Sequence, residues 1–142
     1  MKLTLMGLMA IQYLNVPYKW GANGPFYFDC SGLALKVLHD VGITLPDMTA
    51  NDLYEYCLEN GSESSMACDS LLFFGDNDKI THVGISLGEI NGQHYMINAA
   101  GAGSDSLNMN LDELAVRDAR VRIEKVNRRR DLIASIYLPY KE

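Results

Sequence analysis

The stretch Tyr27-Phe28-Asp29-Cys30-Ser31-Gly32-Leu33 constrains this chain more than any other, because a polar turn bearing a thiol runs directly into an apolar-periodic helix. From Cys30 onward, Leu33, Ala34, Val37, Leu38 and Val41 recur at the i, i+3, i+4, i+7 spacing of one helix face, and Gly42 supplies the stop. A cysteine in the first turn lies where free backbone N–H groups and the positive end of the helix dipole favour thiolate over thiol. The spacing therefore predicts a nucleophilic sulfur of lowered pKa. The plainer reading of a lone cysteine is a small buried hydrophobe, so its partners elsewhere in the sequence decide between the two.

At 142 residues the chain is the size of one domain, and its 48% hydrophobic content suffices for a single core, so one domain over 1–142 is expected. A net charge of −6 lacks the basic footprint of a nucleic-acid or polybasic membrane-surface binder. Cys30, Cys57 and Cys68 are odd in number and not spaced as a framework, which fits synthesis in a reducing compartment with at least one free thiol. Their spacing with the histidines does not resemble a zinc site. The run Leu3 to Ala10 after Met1-Lys2 has a poor leader pattern, since Gln12 and Asn15 follow closely, and it reads as a core helix. No segment is long and apolar enough to span a bilayer, so no stable membrane insertion is expected.

Along the chain, residues 3–14 predict a first helix closed by Asn15-Val16-Pro17. Tyr18 to Pro25 is a loop of aromatics and glycines leading to Cys30, of the kind that lines sites. Thr49-Ala50-Asn51-Asp52 resembles a capping box opening a helix to Asn60, and Ser62 to Ser65 reads as a polar loop. The period then changes to that of strands. Leu71 to Phe74 is a dense apolar strand, Thr81 to Leu87 alternates with His82, Gly84 and Ser86 on the less apolar face, and His94 to Ala100 alternates again. After a flexible loop at Gly101 to Ser104 come a short helix at Leu111 to Val116 and two closing strands, Arg120 to Val126 and Leu132 to Leu138. Helices first and mainly antiparallel strands after predict an α+β fold, with the Cys30 helix packed on the sheet.

Parity makes the hairpin informative. A two-residue Asn91-Gly92 turn would set His82 and Asn98 on opposite faces, whereas a three-residue Ile90-Asn91-Gly92 connection with left-handed Gly92 pairs Gly84 with Asn98 and makes His82 its diagonal neighbour. The three-residue turn is the expectation. Cys30, His82 and Asn98 then form a set in which a thiol attacks, an imidazole carries the proton and an amide oxygen orients the ring. Protonated His82 should lower the thiol pKa further, and backbone N–H groups at the helix start could hold an oxyanion. His39 falls on the far side of the Cys30 helix and His94 lies at the hairpin tip, so neither competes with His82. Cys57 fits the core and Cys68 a loop. Arg128-Arg129-Arg130 reads as a solvated turn, with contact to an anionic polymer as the other choice.

Five segments resemble the NlpC family of cell-wall peptidases within the papain-like cysteine peptidases. They are Pro17-Tyr18-Lys19-Trp20-Gly21, Phe28-Asp29-Cys30-Ser31-Gly32-Leu33, Leu71-Leu72-Phe73-Phe74, Thr81-His82-Val83-Gly84-Ile85-Ser86-Leu87-Gly88 and Tyr95-Met96-Ile97-Asn98-Ala99. The resemblance implies a papain-like, NlpC-type core with Cys30 as nucleophile, His82 as general base and acid, Asn98 as orienting residue and Tyr18 as a hydroxyl beside the thiol. It also implies that Asp29 and Ser31 line the pocket for the free amino end of a stem peptide. Trp20 is assigned either to that pocket wall or to the core. Two departures stand out: Asn98 replaces the commoner histidine, and Ala67-Cys68-Asp69-Ser70 replaces the usual Pro-Gly-Asp.

By that resemblance the chain is expected to hydrolyse the D-γ-glutamyl bond to diaminopimelate or lysine in bacterial peptidoglycan through a thioester, with no metal or organic cofactor. The expected partner is the stem peptide, with no nucleic acid, and the expected state a monomer. Synthesis in the cytoplasm without a signal peptide, followed by action on the wall, suggests a phage-type lytic enzyme. Two other readings stay open: a papain-like amidase or acyltransferase acting on another amide or ester, and a non-enzymatic wall-binding or particle protein.

Overall fold

A computed structural model describes residues 3–140. The Met1-Lys2 start weighed as part of a leader lies outside the described residues. In chain order the elements are α1 (Leu5–Ile11), α2 (Cys30–Asp40), α3 (Ala50–Asn60), β1 (Ser62–Glu63), β2 (Leu71–Gly75), β3 (Ile80–Ile90), β4 (Gln93–Ala100), α4 (Leu111–Val116), β5 (Arg120–Lys125) and β6 (Leu132–Tyr137). The six strands form one sheet in the order β1-β6-β2-β3-β4-β5, with every neighbouring pair antiparallel. This is the α+β, papain-like arrangement the sequence predicts, with α1, α2 and α3 all packed against β3.

Helix α2 is the centre of the larger core. Leu33, Ala34, Val37 and Leu38 are buried by the face the periodicity predicts, against Phe73, Val83, Ile85, Ile97 and Ala99 of the sheet. Each large side chain of this kind contributes roughly 1.5–3 kcal/mol on burial. Asp29 caps the helix, its carboxylate accepting the Gly32 N–H at 2.6 Å, and the N–H groups of Gly42 and Ile43 close the other end on the carbonyls of His39 and Leu38. The opposite sheet face carries a smaller cluster of Leu72, Phe74, Met96 and Val126.

The hairpin differs from the expected three-residue turn. Ile90 pairs with Gln93, so Asn91-Gly92 is a two-residue turn with φ of 52° and 81°, the pair of positive values a type I′ turn requires. Parity is restored at Leu87, where a bulge shifts the register between Ser86 and Gly88. Beyond it Ser86 pairs with Met96 and Ile85 with Ile97, and the same register sets Gly84 beside Asn98. A Cβ on Gly84 would lie 3.4 Å from that of Asn98 and 2.8 Å from Met96 Sδ. The expected juxtaposition therefore forms by another device.

Smaller differences concern what sequence period cannot register. The polar loop after α3 includes the two residues of β1, recruited as an edge by β6, and the flexible loop leads into a 3-10 turn at Ser104–Asn108. The first helix stops at Ile11, earlier than predicted, with Asn15 left-handed at φ 73°. Of the capping box before α3, the Thr49 side-chain bond to the Asp52 N–H forms, at 3.1 Å. Asp69, in the departing Ala67-Cys68-Asp69-Ser70 segment, is buried at φ 73° and accepts hydrogen bonds from the Thr4 and Tyr140 hydroxyls, tying the start of α1 and the chain's last described residues to the turn before β2.

Candidate active site

Cys30 is the first residue of α2, half-buried against the larger core. Gly32 and Leu33 N–H groups bond to Asp29, and of the first two donors of the helix the Ser31 N–H faces the Cys30 sulfur. The loop ahead of the helix is pressed onto it. Asp29 N–H donates to the Ala22 carbonyl at 2.8 Å and its carboxylate accepts the Gly21 N–H at 2.9 Å. A Cβ on Gly32 would sit 2.1 Å from the Ala22 carbonyl oxygen, so only glycine permits this approach.

The resulting cleft, about 490 Å³, is lined by Tyr18, Trp20, Asp29, Cys30 and Ser31 together with Asp47, Asp52, Lys79 and Thr81 among others. All of the residues assigned to nucleophile, hydroxyl and pocket thus come together. Trp20 is 53% exposed, so it stands at the cleft and not in the core. Asp29 has a structural duty as well, since Gly21, Gly32 and Ser31 all donate to its carboxylate. A second cleft of about 380 Å³, between Met66, His94, Val126 and Arg129, contains neither the thiol nor His82.

His82 and Asn98 do not line the thiol cleft; they are buried, 6% and 1% exposed. Their side chains meet, with His82 Nε2 2.7 Å from Asn98 Oδ1. An amide oxygen only accepts, so Nε2 carries the proton and Nδ1 is the nitrogen left to take another. The imidazole also packs on Phe74, ring centroids 5.5 Å apart, and the Arg129 guanidinium lies over the same Phe74 ring at 5.1 Å. Cys30 approaches this strand through the residue after His82, whose backbone N–H faces the sulfur. Thiol and imidazole make no direct hydrogen bond.

The charge state differs from the predicted thiolate-imidazolium pair. Burial pushes the Cys30 thiol up to about 11, reinforced by the Asp29 charge and opposed by the Val83 and Ser31 N–H groups and by Arg129. Burial, with Arg129, pushes His82 down to about 4 against the pull of Asn98, Glu124 and Asp131. Desolvation outweighs the helix-end effect, and the resting pair is neutral. Burial also raises Tyr18 above the usual phenol range, the nearby Cys30 and Asp29 adding to it, and raises Asp29 despite its three donors.

Sequence reasoning missed the groups behind Asn98. Asn98 Nδ2 donates to Glu124 Oε2 at 2.8 Å, and Glu124 is paired with Arg122 and Arg128, each at 3.2 Å. Arg129 bonds Asp131 at 2.9 and 3.0 Å. Of the three arginines read as a solvated turn, Arg128 stays 65% exposed while it reaches Glu124, and Arg129 is drawn in between Asp131 and the Phe74 ring. The available signal was the alternation of Arg122 and Glu124 on the strand after Asn98, informative only once Asn98 is known to pair with Arg122.

The fold is that of the papain-like class, a helix-borne cysteine set against an antiparallel sheet that bears histidine and amide. Comparison with known proteins narrows the class. The NlpC/P60 family model matches residues 15–122, and the chain belongs to the NlpC/P60 family. Probable endopeptidase p60 of Listeria seeligeri is 44% identical over 94 residues, covering 66% of this chain and 17% of that protein. Protein P54 of Enterococcus faecium is 35% identical over 85 residues, 56% of this chain and 15% of that one. The chain thus spans less than a fifth of the length of these relatives. Among solved structures, an NLP/P60 family protein from Staphylococcus aureus superposes with a TM-score of 0.67 at 25% identity, over 96% of this chain and 41% of that one. The NlpC/p60 domain of the peptidoglycan hydrolase SagA gives a TM-score of 0.67 at 23% identity over 94% and 97%, a likeness of fold.

Proposed function

We propose that the chain, as one peptidase domain over 1–142, hydrolyses peptidoglycan stem peptides at the D-γ-glutamyl bond to diaminopimelate or lysine, with Cys30, His82 and Asn98 as its catalytic set. The observation that carries this is the Nε2 to Asn98 Oδ1 bond of 2.7 Å, which leaves His82 Nδ1 as proton acceptor on the strand that faces the thiol. The cleft supports the substrate class. Asp29, Asp47 and Asp52 outnumber Lys79 there, a balance suited to a peptide with a free amino end. The names of the Listeria relatives and of the SagA domain support the same polymer.

In this reading the Cys30 proton passes to His82 Nδ1 as sulfur attacks the amide carbonyl carbon. The oxyanion is met by the Cys30 and Ser31 N–H groups and the Tyr18 hydroxyl. The C–N bond breaks as the imidazolium returns its proton to the leaving amine, giving a thioester. Water then attacks this acyl carbon, His82 taking its proton, and the departing sulfur recovers that proton. No metal or organic cofactor enters the cycle. The protein acts as a monomer on the bacterial wall, and a phage-type lytic enzyme is the setting proposed for it.

Mass analysis of fragments released from purified sacculi tests the bond. New amino termini on diaminopimelate or lysine are expected; fragments cleaved only elsewhere, or acyl transfer without hydrolysis, would point to the amidase or acyltransferase reading instead.

A further inference from the structure

We propose that Glu124 is a positioning residue of this centre, holding Asn98 by its amide N–H so that the Asn98 oxygen, and not its nitrogen, is presented to His82. The proposal rests on the reading of Cys30 and His82 as nucleophile and base. An asparagine side chain has two ends of similar shape and opposite polarity. With the nitrogen turned to the ring it would donate to Nε2, the imidazole would carry its proton on Nδ1, and the nitrogen needed as base would be blocked. A carboxylate can only accept. Glu124 Oε2, 2.8 Å from Asn98 Nδ2, therefore selects the orientation in which Oδ1 accepts from His82 Nε2 at 2.7 Å and Nδ1 keeps its lone pair. The Arg122 carbonyl, at 3.4 Å from the same nitrogen, is a weaker second acceptor.

The carboxylate is built in rather than incidental. Its side chain is 8% exposed, and it is flanked by Arg122 Nε on Oε2 and Arg128 Nε on Oε1, both at 3.2 Å. Arg122 is itself 11% exposed and anchored on the Asp118 carbonyl at 2.8 Å. Two guanidinium groups pair with this carboxylate, which stands one amide away from the imidazole. A neutral orienting residue stabilises an imidazolium poorly, and Glu124 offsets that deficit from behind. The other charges that act on His82 are Arg129 and Asp131, on the segment across Phe74.

The test compares wild type, Glu124→Gln and the transposed pair Asn98→Asp with Glu124→Gln. An aspartate at 98 can only accept from Nε2, so the transposition should restore both tautomer and charge. In wild type, ¹⁵N spectra should show His82 protonated on Nε2. In Glu124→Gln the Nδ1-protonated form should appear, kcat on sacculi should fall about tenfold, equivalent to about 1.4 kcal/mol, with KM little changed, and the acid limb of the rate profile should move to lower pH. The transposed pair should recover the tautomer and most of the rate, and it carries the test if the single variant melts early. A wild-type tautomer and profile in Glu124→Gln would overturn the proposal. So would a folded transposed variant that recovers neither tautomer nor rate. Sacculi left intact by wild type would instead sink the peptidase reading, while the spectra, which need no substrate, still decide the role of Glu124.

Discussion

At neutral pH, burial favours the uncharged form of both Cys30 and His82, aided by Asp29 at the thiol and Arg129 at the imidazole, against hydrogen-bond partners and other charges that favour the charged form. Burial prevails at both, with the thiol up at about 11 and the imidazole down at about 4. The proposed mechanism then requires proton transfer from sulfur to Nδ1 in the same event, with His82 neutral in the working form. Its kcat/KM should therefore rise through about pH 4 and stay level across neutrality. Alkylation of Cys30 by iodoacetamide should be slow at pH 7 and climb only toward about 11; fast labelling at pH 5 would reveal an ion pair. Tyr18→Phe removes a hydroxyl beside the thiol without changing the cleft wall, and a fall of about tenfold in kcat is expected if it meets the oxyanion. The placement of Cys30, His82 and Asn98 was legible in the sequence, because they fall at a helix start and on two alternating strands. Their charge states were not, since desolvation depends on what covers each group. Glu124 was not, because its link to Asn98 depends on the β4–β5 register.

Between elements, fitting is done by glycine at close approaches and, between β3 and β4, by an inserted residue. Gly32 lets the Tyr18–Asn23 loop lie on the start of α2, so Gly32→Ala should displace the Ala22 carbonyl and with it the cleft wall. Reduced turnover and a lowered melting temperature are both expected, by the roughly 1–3 kcal/mol of an overpacked contact. The bulge at Leu87 shows the limit of reading pairs from sequence. Parity required an extra residue somewhere between His82 and Asn98, and Asn91-Gly92 was a plain turn signal, yet nothing in Gly84 to Ile90 marks where the strand takes up the insertion. Asp69 was likewise illegible, since its partners Thr4 and Tyr140 come from the two ends of the chain. Asp69→Ala leaves both hydroxyls without their acceptor and should cost about 1–3 kcal/mol, read as a shift of the urea midpoint.

For the whole molecule, the same burial that tunes His82 couples stability to pH. Its pKa is lower in the folded chain, about 4 against the ordinary 6.5, so unfolding takes up a proton at mildly acidic pH. The stabilisation is complete above pH 6.5, declines as pH falls toward about 4 and is gone below it, amounting to about 3 kcal/mol at ~1.4 kcal/mol per unit. Urea unfolding at pH 7 and pH 4 measures this, and the dependence should flatten in His82→Gln. The α+β order and the antiparallel sheet followed from sequence because helix and strand periods occupy separate halves of the chain. The edge strand β1 did not, because two residues carry no period.

Release of amino groups from purified sacculi by wild type and by Cys30→Ala, side by side at pH 7, tests the central claim most directly. Steady release by wild type and none above background by Cys30→Ala is predicted. Release that survives the loss of the Cys30 sulfur, or none from a folded wild-type protein, would contradict it.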